Sequence, residues 1–258
     1  MSGSYLMMRF CFVLAILTSF ISCQCFGVSL TSHRIFLNKD QRTESFVIFN
    51  REQQSQNCHL SFQDFPFDKA GNMGKRITDT LPKSSASQLV RFSPRTFEIK
   101  GGSTQTVRFS LRRKANATAS EYQSYLSINC GNSIDKNNQA NLIRLSPRLV
   151  HNVPVVARTG KLKAQLSISD IKIGANKKLV FKLNRAGNRS VYGVIEIIDK
   201  HSNKVVNFLQ GVSLYVQSDY RQFDFSLPDG ISANNLSIRF TEEKKYGGSL
   251  IISRDVKI

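Results

Sequence analysis

The chain has 258 residues, 41% of them hydrophobic and 21% charged, with 15 Gly, 6 Pro and no Trp. That is ample for one large domain or two ordinary ones with a buried core, and it excludes collagen-like, low-complexity and wholly disordered chains. Lys and Arg total 36 against 18 Asp and Glu, a formal charge of +18 that draws nucleic acid, anionic membranes and acidic proteins alike and so selects none of them.

At the start, Arg9 precedes an apolar run from Phe10 to Ile21, followed by the small or short residues Ser22 to Gly27. This is the pattern of a secretory signal peptide. The run is shorter than the roughly 20 apolar residues a spanning helix needs, and no later segment is long and apolar enough to span. Cleavage after Cys25 or Gly27 fits, and Gly27 is preferred, so residues 1–27 are read as the signal and Val28 as the first mature residue. Cys11, Cys23 and Cys25 then leave with the signal, and Cys58 and Cys130 remain. An even pair in an oxidising compartment implies one disulfide. Cys58 beside His59 is also a possible metal contact, but there is no Cys-x-x-Cys and no His pair at ligand spacing, so no metal site is expected.

From Val28 onward the dominant period is two, in short runs rich in Val, Ile, Phe, Leu, Tyr and Thr, which predicts an all-β chain. The predicted strands are Ser29 to Phe36, Glu44 to Asn50, His59 to Phe65, Leu89 to Phe92, Thr96 to Ile99, Thr104 to Leu111, Tyr122 to Asn129 and Leu142 to Val156. These suit one immunoglobulin-like β-sandwich over residues 28–157. Beyond a short polar hinge at 158–160, the texture repeats over 161–258. The runs there are Ala164 to Ile168, Lys178 to Asn184, Val191 to Asp199, Val212 to Val216, Phe223 to Leu227, Leu236 to Phe240 and Leu250 to Ile252, and they predict a second sandwich in a two-lobed molecule.

Two loops stand out, Pro66 to Ser87 and Gly131 to Asn141, both polar and both expected to be mobile. The second leads into the longest predicted strand, where Ile143, Leu145, Pro147 and Leu149 fall on one face and Arg144, Ser146 and Arg148 on the other. An edge strand of that kind either completes its own sandwich or needs a partner to cover it.

Val28-Ser29-Leu30 followed by Arg34 and Phe36 (VSLTSHRIF) resembles the mature start of the PapD-like periplasmic pilus-assembly chaperones of Gram-negative bacteria. ESFVIFN at Glu44 to Asn50, VRFSPRTFEIKGG from Val90 to Gly102, EYQSYLSIN at Glu121 to Asn129 and PRLVHNVPVVARTG from Pro147 to Gly160 are similar to later family segments in the same order. The last is most like a divergent branch with Val-Pro-Val before Arg and Gly.

The resemblance implies a periplasmic chaperone that fills the open groove of a pilus or fimbrial subunit with its own edge strand and delivers the subunit to an outer-membrane usher. Ile143, Leu145 and Leu149 are then the donor residues. Arg34 matches the family's arginine for the subunit's C-terminal carboxylate, a role that suits a forked guanidinium. Where the family has a second cation, a lysine, counting back from Arg158 gives Asn152, with His151 or Arg148 as substitutes. In an immunoglobulin-like sandwich the strands carrying Cys58 and Cys130 are antiparallel neighbours. Both cysteines share the parity of apolar residues in their runs, so a cross-strand disulfide is expected.

No Gly-x-Ser-x-Gly, His-Glu-x-x-His or Gly-x-x-x-x-Gly-Lys is present, so neither an enzyme nor a cofactor is expected. The alternative is a secreted basic module that binds nucleic acid or a sulfated glycan through Arg112-Arg113-Lys114 and Lys161, Lys163, Lys172, Lys177 and Lys178. No base-stacking aromatics are interleaved with these charges, and nucleic acid is not the expected partner.

Overall fold

The computed structural model describes residues 27–112, 119–132, 149–174, 177–227 and 232–257. The first strands are β1 (Val28–Leu30), β2 (Ile35–Leu37), β3 (Thr43–Asn50), β4 (Gln56–Gln63), β5 (Val90–Ser93), β6 (Thr96–Ile99), β7 (Thr104–Leu111), β8 (Ser120–Asn132) and β9 (Val150–Thr159). They form a four-stranded sheet in the order β1-β3-β7-β5 and a five-stranded sheet in the order β2-β9-β8-β4-β6. In β7, Val107, Phe109 and Leu111 are buried while Arg108 and Ser110 are exposed, the alternation of a sheet with one wet face. Those residues meet Leu60, Leu126, Ile128, Val153 and Val155 of the facing sheet in a single core. This is an immunoglobulin-like sandwich.

The second half repeats the plan with β10 (Ala164–Ile173), β11 (Lys178–Gly187), β12 (Val191–Asp199), β13 (Lys204–Leu214), β14 (Tyr220–Ser226), β15 (Leu236–Glu242) and β16 (Ile251–Asp255). The sheets β10-β11-β14 and β13-β12-β15-β16 enclose Leu179, Phe181, Leu183, Ile195, Ile197, Ile238 and Phe240. The chain leaves the first sandwich at Gly160. There φ is +66° and a Cβ would lie 2.6 Å from that of Ala119, so the turn requires glycine.

The two sandwiches are joined by a buried polar seam. Glu121 on β8 accepts a hydrogen bond from Arg158 Nε on β9 at 2.8 Å, and its two oxygens accept the backbone N–H of Ser190, from the turn before β12, at 3.1 and 3.0 Å. Arg158 Nη2 donates to the carbonyl of the same Ser190 at 2.8 Å. Arg189 donates to that carbonyl too and forms a buried two-pronged pair with Glu242 at 2.6 and 3.0 Å. Burial alone would raise the Glu242 carboxyl above its ordinary range, but Arg189 and the backbone amides of Leu250 and Ser249 outweigh it and hold the group lower. Phe36, Val156 and Tyr246 add a small apolar cluster across the same junction.

Three expectations are corrected. The strand predicted over Ser29 to Phe36 is broken at Ser32, whose Oγ donates to the carbonyl of Arg34 at 2.7 Å, and the chain crosses there from one sheet to the other. The loop from Pro66 to Ser87 is tied down instead of mobile. Asp64 accepts from Ser124 Oγ and Ser85 Oγ at 2.6 and 2.9 Å, and Lys69 accepts the amides of Asp219 and Tyr220 in the second sandwich at 2.9 and 3.1 Å. β13 begins at Lys204, earlier than the predicted Val212, because its outer part is an edge with Val205, Phe208 and Leu209 exposed. Of the other loop, residues 133–141 lie outside the described residues.

Cys58 and Cys130 stand opposite each other in the β4–β8 register and form a disulfide. Replacing both by Ala should lower the unfolding free energy by about 2–4 kcal/mol, because the bond restricts a long loop in the unfolded chain. Urea denaturation checks this, and an unchanged midpoint would contradict it.

Candidate functional site

The break at Ser32 sets up the site. β2 pairs in parallel with β9 through Ile35 and Val155, Phe36 and Val156, and Leu37 and Ala157. Ile35 and Leu37 enter the first core, so the alternate residues Phe36 and Arg34 point the other way, toward the second sandwich.

Arg34 is only 1% exposed. Its Nη1 donates to Ser213 Oγ of β13 at 3.4 Å, its guanidinium carbon lies 4.7 Å from the ring centre of Tyr192 and 5.7 Å from that of Tyr215, and its Nε has no hydrogen-bond partner. Among the described residues no carboxylate forms an ion pair with it. A buried guanidinium held by aromatic faces and one long hydrogen bond is an uncompensated charge, and it makes the cleft attractive to an anion.

The wall beside it is aromatic. Tyr125 of β8 donates its hydroxyl to Tyr215 at 3.1 Å, and Phe67 from the docked loop lies 6.4 Å from Tyr125 and 4.6 Å from Tyr215 between ring centres. Burial and then the neighbouring Tyr215 push the Tyr125 phenol well above its ordinary range, against the pull of Arg34 and Arg221, so it stays a protonated donor. Arg221 of β14 is exposed at the cleft and donates to the Ser213 carbonyl at 3.4 Å.

Leu149 is 64% exposed, beside exposed Val150 at the start of β9. Ile143, Leu145 and Arg148 lie outside the described residues. From Val150 to Pro154, β9 pairs with β8 on one side, while β2 reaches only Val155 to Ala157 on the other, so among the described residues this stretch is a free sheet edge.

His151 shares the parity of Val153 and Val155, which are buried in the first core, so it lies on the face opposite Arg34. Its Nε2 is buried without a partner, and desolvation lowers its pKa, favouring the neutral ring. His151 is therefore not a second cation for Arg34. One step back along the parallel β2–β9 register puts Pro154 beside Arg34, with exposed Asn152 two residues further on.

Sequence reasoning does not single out Tyr125, Tyr192, Tyr215 or Arg221. Only Tyr125 carried a local signal, being out of phase with the core residues Leu126 and Ile128 of its strand. Among the described residues there is no group of three His, Cys, Asp or Glu side chains able to hold a metal ion.

No protein-family model matches the chain, and no curated protein does. Among solved structures it is similar to the CupB2 chaperone of Pseudomonas aeruginosa, with 13% identity and a TM-score of 0.49 over 89% of this chain and 100% of that one. A second is the Salmonella enterica SafA pilin in complex with the SafB chaperone, at 10% identity and a TM-score of 0.49 over 91% and 98%. A third is the CsuC–CsuE chaperone–tip subunit pre-assembly complex of the archaic chaperone-usher Csu pili of Acinetobacter baumannii, at 12% and 0.47 over 88% and 97%. Each of these three structures is, or contains, a chaperone.

If Arg34 is held ready for an anion, its charge weakens the empty protein. Arg34→Met, which keeps length and removes charge, should stabilise the free chain by about 1 kcal/mol or more. A denaturant titration reads this directly, and a loss of stability of that size would make Arg34 a structural residue.

Proposed function

We propose that the protein is an exported, periplasmic chaperone, without enzymatic activity, that captures pilus or fimbrial subunits by donor-strand complementation and passes them to an outer-membrane usher. Residues 1–27 act as the export signal, 28–157 carry the donor strand, 158–160 join the lobes and 161–258 close the cleft. The observation that carries this reading is the buried, unpaired Arg34 in the cleft, close to the stretch of β9 whose edge is free and whose start exposes Leu149 and Val150.

A subunit strand adding to that edge gains main-chain hydrogen bonds with β9, while Ile143, Leu145 and Leu149 fill alternate pockets of its groove. The subunit's terminal carboxylate then lies against Arg34, where a guanidinium binds it through two charge-assisted hydrogen bonds. One of the charges offered for an anionic polymer is engaged within the protein, since Lys178 pairs with Asp224. Among the described residues no helix is long and apolar enough to cross a membrane.

Co-expression with each pilus subunit of the host, followed by pull-down, tests the proposal. Leu145→Glu places a charge in an apolar pocket and should abolish capture, at a cost of several kcal/mol. Arg34→Ala should also abolish or greatly weaken it, because a buried carboxylate left alone costs about 3–5 kcal/mol. Arg112→Ala, at an exposed site, should capture normally. Normal capture by the first two variants, with loss at Arg112, would reject donor-strand capture in favour of an electrostatic surface.

A further inference from the structure

A bound carboxylate needs more than Arg34. The residues of β9 nearest to it, Pro154 and Asn152, carry no charge, and His151 faces the other way. The opposite wall of the cleft supplies what β9 lacks. Ser213 joins two guanidinium groups: its Oγ accepts from Arg34 and its carbonyl accepts from Arg221. The positive charges of both arginines act on the hydroxyl of Tyr125. Because Tyr125 donates to Tyr215, the proton of Tyr215 is left free for an incoming acceptor.

Arg221 is also held in place. Its guanidinium carbon lies 5.3 Å from the ring centre of Phe223, and a side chain added at Gly71 would meet its Cγ and Cδ at 3.5 Å. The loop that brings Gly71 there is fixed to the base of β14 by the amides of Asp219 and Tyr220 and by a Lys69–Asp219 ion pair at 3.1 Å. Among the described residues no carboxylate pairs with Arg221.

We propose that Arg221 of the second sandwich is the second cation of a two-arginine clamp for a peptide C-terminal carboxylate, with the Tyr215 hydroxyl as a further donor. This rests on the reading of Arg34 as a carboxylate anchor. The clamp spans both sandwiches, with Arg34 at its buried floor and Arg221 at its open rim. An anion entering the cleft meets Arg221 first and is then shared with Arg34, which has an unused N–H.

The test follows the side-chain Nε–Hε signals of Arg34 and Arg221 by NMR in the 15N-labelled full protein, assigned by their loss in Arg34→Lys and Arg221→Gln. The probes are N-acetyl-Val-Phe as the free acid and as its C-terminal amide. The acid should move both signals with one midpoint, and the amide should move neither. Arg221→Gln, a change at the exposed rim, should weaken binding of the acid by about tenfold or more, as loss of a hydrogen bond to a charged group does, and Arg221→Lys should recover part of it. If the acid moves Arg34 while Arg221→Gln leaves the midpoint unchanged, Arg221 is not part of the clamp and Arg34 stands as the anchor alone. If neither signal moves up to the solubility limit of the acid, both assignments fall.

Discussion

Ser190 is gripped from the other sandwich at both of its backbone polar groups, and the cleft depends on that grip. Glu121 takes its N–H and Arg158 donates to its carbonyl, while the two side chains pair with each other. Each of these groups is buried and would be costly to leave unpaired, so any rotation of one sandwich against the other breaks several interactions at once. A buried ion pair of this kind adds little net stability over an apolar contact, but losing one partner is expensive. Its contribution here is a fixed angle between lobes. Without it, Arg34 of the first sandwich would not stay beside Ser213, Tyr192 and Tyr215 of the second.

The seam and the cleft differ in how their charges are balanced. Arg158 and Arg189 each have a carboxylate, and Arg185 is matched by the carbonyls of Gly187, Arg189, Val216 and Ser218. Arg34 is as deeply buried, yet it has aromatic faces and one hydroxyl. Tyrosine rings soften the cost of a buried cation without satisfying its N–H groups, and Nε of Arg34 has no partner. On the proposed reading, this unbalanced fourth arginine is the one that meets the subunit.

The period of two made the all-β architecture legible because it is local to a strand, whereas the pairing of Cys58 with Cys130 needed the strand order of an immunoglobulin-like sandwich, parity adding only that both face the same way. Parity also decides against His151: in HNVPVV it falls in phase with Val153 and Val155, and that was readable before the structure. The break at Ser32 is marked in the sequence only by the polar stretch Thr31 to Arg34, and the change of partner, from β3 to β9, is what reveals two strands. The loop from Pro66 to Ser87 looked loose because its partners, Ser124, Tyr125, Tyr215 and Asp219, are distant in sequence. Arg221 was hidden for the same reason, as a strand arginine whose neighbours at the cleft come from elsewhere in the chain.

The most direct measure of the central claim, that Glu121 and Arg158 hold the two sandwiches as one body around the cleft, is native-state hydrogen exchange at the amide of Ser190. This N–H lies in a turn, outside both sheets, and its partner is Glu121 of the other sandwich. Exchange there should be as slow as that of Leu126 and Phe240 in the two cores. Fast exchange at Ser190, at the rate of an exposed loop while both cores stay protected, would show that the lobes part readily and would contradict the claim.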